Sequence, residues 1–177
     1  MEDTIALRAL DTEDKVRVHV VSEVCDFLQN NPDSLKVLKI SNLLSQIAAR
    51  LRDRKPEVRR ETFLKLSKLY AHYITLWGDN WSEQQTKMFG GIPLLILNCY
   101  SQPQYDFKFL VDDVFDNVIL PQGLSVEKRV KLFLHQILPN LTEEGICIFL
   151  FLVRDKFMFR RAFLSYLSSP GEVKKNA

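Results

Sequence analysis

An all-α fold is predicted by three features of the 177-residue chain. Apolar residues recur with a period near 3.6 in one segment after another, which is the pattern of helices with one buried face. No segment alternates with period two between turn signals, so no strand is expected. The third feature is an echo: Asp14-Lys15-Val16-Arg17 opens one apolar stripe, Asp53-Arg54-Lys55-Pro56-Glu57-Val58-Arg59 opens another, and Val16 and Val58 stand 42 positions apart. A period near 40 built from paired helices is the mark of a HEAT-type α-solenoid, a stack of antiparallel helix pairs. Each pair has an apolar face that only its neighbours can bury, so the echo points to an extended binding surface and away from a closed catalytic pocket.

Taken in order, the first stripe runs from Lys15 to Gln29, with Val16, Val20, Val21, Val24, Phe27 and Leu28 on one helical face. Asn30 to Asp33 breaks it, and Ser34 is a candidate cap for the next helix, striped by Ile40, Leu43, Leu44, Ile47 and Leu51. The short connection predicts that the two pack antiparallel. Pro56 suits a first helical turn, where no N–H is needed, and the helix behind it carries a wide apolar arc from Val58 to Trp77. That breadth fits a helix touching both its partner and the next repeat. Gly78 to Asn80 ends it and Ser82 caps a segment reaching Met88 and Phe89. Gly90-Gly91 then interrupts the chain, with Pro93 in the first turn of a short helix to Tyr100.

Beyond Pro103 the period returns with Phe107, Leu110, Val111, Val114, Phe115, Val118 and Ile119, until Pro121 and Gly123 stop it. Ser125 caps a stripe of Val126, Val130, Phe133, Leu134, Ile137 and Leu138, which Pro139 closes. Thr142 starts a helix through Val153, and a separate final helix carries Phe159, Phe163, Tyr166 and Leu167. Residues 1–169 thus form a single repeat segment, and the polar stretch 170–177 is expected to be a flexible tail.

With 46% hydrophobic and 26% charged residues, the chain can build a real core and is no candidate for disorder. A net charge of +2 gives no general pull toward nucleic acid or membrane. Met1 to Thr4 lacks the basic start and apolar core of a signal peptide. The longest apolar run, Ile146 to Val153, falls far short of the roughly 20 residues that span a bilayer and reads as a buried helix. Cys25, Cys99 and Cys147 stand far apart in apolar stretches and read as buried reduced thiols of an intracellular protein.

His19, His72 and His135 fall on different helices with no nucleophile or acid at motif spacing. Gly90-Gly91 lacks the glycine spacing and preceding strand of a phosphate loop. Asp112 and Asp116, with Asp113 between them, lie one turn apart, but a helix supplies too few oxygens for calcium, and a solvated acidic face able to meet a basic one is the better reading. No metal site and no enzyme is expected. The basic cluster is more informative: Arg50, Arg52, Arg54, Lys55, Arg59 and Arg60 fall within eleven residues around one turn. They either complement a helix end, with Asp53, Glu57 and Glu61 as local counter-charges, or recognise phosphate or an acidic peptide.

From Asp53 to Glu61, and on through Leu66, Leu69, Tyr70 and Tyr73, the sequence resembles the Pds (precocious dissociation of sisters) family of cohesin regulators. Further blocks continue the resemblance, at Ile92-Pro93 to Tyr100, Leu110-Val111-Asp112, Phe115-Asp116, Ile119-Leu120-Pro121, and Leu124 with Arg129-Val130. It covers roughly Asp11 to Leu167; Thr62 departs from it, standing where a small alanine is expected. Family members are many times longer, so the chain resembles an excised segment or a shortened relative. The resemblance implies a nuclear, chromatin-associated, non-enzymatic scaffold that docks on the kleisin subunit of cohesin and tunes cohesion and release with the Wapl factor. It implies no cofactor, although some members bind an inositol polyphosphate. Carried onto this sequence, it offers Arg54, Lys55, Arg59 and Arg60 as polar contacts, and Tyr70, Tyr73, Leu110, Val111 and Phe115 as groove or core positions. The alternative function is a nucleic-acid or inositol-polyphosphate module built on Arg50 to Arg60.

Overall fold

The structure is a computed structural model that describes residues 2–32, 40–78, 81–102 and 106–168. Every regular element among them is helical, as the periodicity predicts. The helices are α1 (Glu2–Arg8), α2 (Asp14–Asn30), α3 (Ile40–Ala49, extended by a 3-10 turn at Arg50–Arg52), α4 (Pro56–Trp77), α5 (Glu83–Phe89), α6 (Ile92–Tyr100), α7 (Asp106–Val114), α8 (Val126–Leu132) and α9 (Glu143–Ser168). The predicted Ser34 cap, the tail 170–177, and the burial of Ile40, Trp77 and Phe107 lie outside what is described.

Local chemistry sets most of these boundaries. Pro56 occupies the first turn of α4, and Gly78, with φ of 54° and ψ of −128°, takes a positive-φ conformation suited to glycine that ends it. Ser82 and Gln85 form a reciprocal capping box on α5: the Ser82 hydroxyl accepts from the Gln85 amide, while the Gln85 side chain accepts from the Ser82 amide at 2.7 Å. Ser125 accepts from the Lys128 amide, and the Thr142 hydroxyl accepts from the Gly145 amide, opening α8 and α9 where the sequence placed their starts. Both α7 and α8 end in π-helical turns, Phe115–Ile119 and Phe133–Ile137; the first closes with the Leu120 amide on the Phe115 carbonyl at 2.9 Å.

Side-chain contacts reveal the stacking. Lys65 of α4 meets Asp26 of α2 across 39 positions, and the Tyr73 hydroxyl donates to the Leu28 carbonyl across 45. Both contacts advance together along the chain, so α2 and α4 run side by side in one direction, offset near the 42-residue echo. In the second row, Gly145 of α9 faces Leu94 of α6 so closely that a Cβ would sit 2.5 Å from Leu94 Cδ1. Further along, the Tyr100 hydroxyl donates to Asp155 at 2.7 Å, so α6 and α9 are also parallel. Helices α7 and α9 face each other in opposite senses: Phe115 packs on Phe149, while Lys156 reaches back to Asp112 and Asp116 at 2.8 and 2.5 Å. The fold is thus the predicted HEAT-like solenoid. One hydrophobic core runs from Ala9 through Leu28, Phe63, Leu66, Phe89 and Phe115 to Leu152.

Several expectations need correction. The last two predicted helices are one, because Arg154 to Met158 holds no glycine or proline to part them. The Ile146 to Val153 run is buried only in part: Ile148 and Leu152 are buried, whereas Leu150, Phe151 and Val153 are exposed. Cys25 and Cys99 are buried as expected, with both thiols pushed up to about 12 by desolvation, but Cys147 is exposed on the same open face. On α8 the buried face is Leu132, Gln136 and Ile137, leaving the predicted stripe residues Val126, Val130 and Leu134 outside. Thr62 is fully buried, and its hydroxyl donates to the Val58 carbonyl at 2.7 Å, which explains how a polar side chain is accepted there.

Candidate functional site

The basic cluster forms around the turn between α3 and α4, and the 42-residue echo extends to its hydrogen bonds. Arg17 donates through Nη1 to the Asp11 and Thr12 carbonyls; Arg59 donates through Nη1 to the Asp53 and Arg54 carbonyls. The Asp11 carboxylate accepts from Arg8 and the Glu13 amide, and Asp53 accepts from Arg50 and the Lys55 amide. Each turn is therefore closed by the same set: an arginine before it, an aspartate within it and an arginine after it.

The turns are then bolted to each other. Arg17 forks onto Asp53, Nε to Oδ2 at 2.8 Å and Nη2 to Oδ1 at 2.9 Å, with both side chains almost fully buried. Burial alone would raise the Asp53 carboxyl, but hydrogen bonds from Arg17 and the Lys55 amide outweigh it and hold it below its ordinary value of 3.8. The Arg17 guanidinium is raised in turn by its bond to Asp53. Planar, bidentate geometry makes arginine, and not lysine, the side chain suited to this role.

This architecture divides the predicted site residues. Arg59 is buried on its own turn, with Nη1 held by the Asp53 and Arg54 carbonyls, so it braces the turn and does not present the free guanidinium expected of a partner contact. Tyr70, Tyr73, Val111 and Phe115 are at most 1% exposed and are core residues, which resolves the choice between groove and core. Leu110 is half-buried against that core. Arg54, Lys55 and Arg60 are exposed, clustered at the outer edge of the braced turn, and Lys55 has only a loose 3.7 Å pairing with Asp14. These three are what the structure leaves available from the sequence-predicted set. Arg52 is exposed beside them. The acidic residues Asp112 and Asp116 do meet a basic group, but it is Lys156 of α9, not the arginine cluster.

Sequence reasoning missed two features. The Arg17 to Asp53 bolt joins residues 36 positions apart, and only aligning the two echoed turns would have exposed it. The outward ridge of Val126, Val130 and Leu134 on α8, spaced at i, i+4 and i+8, was assigned to the core because two apolar registers overlap on that helix. Among the described residues, no group of three or more His, Cys, Asp or Glu could hold a metal ion, and no helix is long and apolar enough to cross a membrane.

Comparison with known proteins agrees with the repeat geometry. A sequence model of the sister chromatid cohesion protein PDS5 family matches residues 1–176. The chain is 26% identical over 171 residues to a PDS5 homolog from Dictyostelium discoideum, covering 94% of this chain and 11% of that protein. It is 27% identical over 131 residues to PDS5 homolog A from Mus musculus and from Homo sapiens, covering 74% of this chain and 9% of each. The chain thus spans about a tenth of the length of these relatives. With nearly every residue inside the family match and the echoed turns folded as stacked repeats, the chain belongs to the PDS5 family of sister chromatid cohesion proteins.

Proposed function

We propose that this chain is a non-enzymatic HEAT-repeat scaffold of a cohesin regulator, docking on the kleisin subunit and tuning cohesin release on chromatin in the nucleus, with the Wapl factor as a further partner. The observation that carries this reading is the contrast within one turn. Arg17, Asp53 and Arg59 are buried and hold the backbone rigid, whereas Arg54, Lys55 and Arg60 project from it. Exposed charges of this kind add little to stability, but on a pre-organised turn they orient and attract an acidic partner segment. The α8 ridge supplies exposed apolar area of the kind that anchors a peptide, so cationic and apolar contacts are both available on this stack.

The test is charge reversal of Arg54, Lys55 and Arg60 to Glu, with kleisin binding measured by fluorescence anisotropy. Affinity is expected to fall about tenfold or more, while the melting temperature stays near wild type. Unchanged affinity removes this turn from the interface. Guanidinium forks also suit phosphate, so inositol polyphosphate and DNA are measured in parallel at two salt concentrations. A steep salt dependence for those ligands, with kleisin unaffected by the reversal, would favour the phosphate-binding alternative.

A further inference from the structure

A groove of about 540 Å3 opens between α3, with its 3-10 extension, and the α5–α6 pair, in the size range of clefts that hold ligands. Its floor is apolar: Leu44 and Leu51 on one side, Leu66 of α4 beneath, Ile92 and Leu95 opposite. The gap exists because small residues face each other across it, Ser45, Ala48 and Ala49 from α3 and Gly91 from the start of α6.

Gly91 is the informative member. Its φ of −77° and ψ of −11° are ordinary helical values that any residue adopts, and a Cβ built there would meet nothing within 4 Å. Neither backbone strain nor packing calls for glycine at this helix start. What the missing side chain leaves is room in the groove.

The rim is cationic. Arg52 lines the groove, is exposed, and makes no hydrogen bond or ion pair among the described residues. Lys87 lies on the same rim and leans on Glu83 at 2.7 Å, an exposed pair that yields readily to a competing anion. Asn98 and Gln102 add amide donors and acceptors, and no carboxylate is among the described residues that line the groove. A purely apolar ligand would leave Arg52 unused, and a bare phosphate would leave the apolar floor wet. A peptide that sets a Leu or Phe side chain on the floor and carboxylates against the rim uses both.

We propose that the groove between α3 and α6 docks an acidic peptide segment anchored by one large apolar side chain. None of Arg54, Lys55 and Arg60 lines the groove, and the proposal does not depend on their role. Two substitutions address it without touching the core. Gly91→Leu places a side chain in the open space, and Arg52→Glu reverses the rim.

The full chain, labelled with nitrogen-15, is titrated with short capped peptides carrying one Phe or Leu between Asp and Glu residues. Control peptides replace the acids with Lys or the apolar residue with Ser, and inositol hexakisphosphate is titrated separately. Amide shifts are expected to concentrate at Ser45 to Ala49 and Gly91 to Asn98. Gly91→Leu should abolish them, and Arg52→Glu should weaken binding about tenfold. Equal binding of the Ser peptides or of inositol hexakisphosphate at the same amides would overturn the proposal in favour of a plain anion site. Shifts elsewhere, or shifts indifferent to both substitutions in chains with wild-type melting, would overturn it altogether. Failure of kleisin to bind leaves these readouts unaffected.

Discussion

Two arginines at equivalent places in the echo, Arg17 and Arg59, grip their own turns alike, yet among the described residues only Arg17 of the two reaches a carboxylate. The Nε of Arg59 is buried with no hydrogen-bond partner, so the ladder of bolted turns stops after one rung. Asp53 is therefore the side chain on which the first two repeats hinge, and Asp53→Asn should destabilise the fold by about 3 to 5 kcal/mol at neutral pH, the usual loss when a buried pair is broken on one side. The pH dependence follows from the lowered Asp53 carboxyl. Its stabilisation is complete above the unfolded-state value and is lost as pH falls through the folded one, so the gap between wild type and variant should shrink below about pH 4. Urea unfolding at pH 7 and pH 3 measures this; a gap that does not narrow at all between them would show that the carboxylate charge is not the cause. The tyrosines give a second contrast. The Tyr73 hydroxyl donates to the Leu28 carbonyl at 2.6 Å, whereas the equally buried Tyr70 hydroxyl has no partner. Tyr73→Phe should cost about 1 to 2 kcal/mol, while Tyr70→Phe should be neutral or stabilising, because it removes a polar group that burial penalises. Equal losses in denaturant melts would contradict this division.

Helices α2 and α4 were legible because α2 buries one clear face, α4 buries a wide apolar arc, and each follows an echoed turn. α8 and α9 were less so, for a physical reason: periodicity shows that a helix has an apolar face, but not whether a neighbour covers it. On α8 two apolar registers compete, and packing chose Leu132 and Ile137 over Val126 and Val130. On α9 the residues beyond Lys156 are apolar nearly all round, and Phe157, Met158, Phe159, Phe163, Leu164, Tyr166 and Leu167 are each more than half exposed. The same limit applied to the docking site. The cluster was visible in composition, but the split between buried Arg59 and exposed Arg60 depends on which side of α4 faces the turn. An apolar helix in water invites association, so the chain should self-associate with rising concentration. Phe159→Glu with Phe163→Glu should reduce that association without lowering the melting temperature, since neither ring packs on the core. Sedimentation velocity across a concentration series decides it; unchanged association would place the contact on another face.

Across the whole molecule, a solenoid is held by neighbour-to-neighbour contacts, so local stability should vary along the stack and not rise and fall as one unit. The α2–α4 contact has the buried Arg17 to Asp53 bolt, the Asp26 to Lys65 pair and the Tyr73 hydroxyl. The α7–α9 contact relies on Lys156 bridging Asp112 and Asp116, with Phe149 packed between Phe115 and Phe133. Amide hydrogen exchange should therefore be slowest in the middle of α2 and α4 and fastest in α9 from Phe157 to Ser168, where every residue is exposed. Lys156→Glu sets three carboxylates against one another at the α7–α9 contact, and its effect should stay there. Exchange is expected to quicken in α7 and in α9 from Gly145 onward, with α2 and α4 keeping their wild-type protection. If the substitution instead raised exchange equally in all four helices, the repeats would be unfolding as a single cooperative block, and the stack would lack the graded stability that neighbour-only contacts impose.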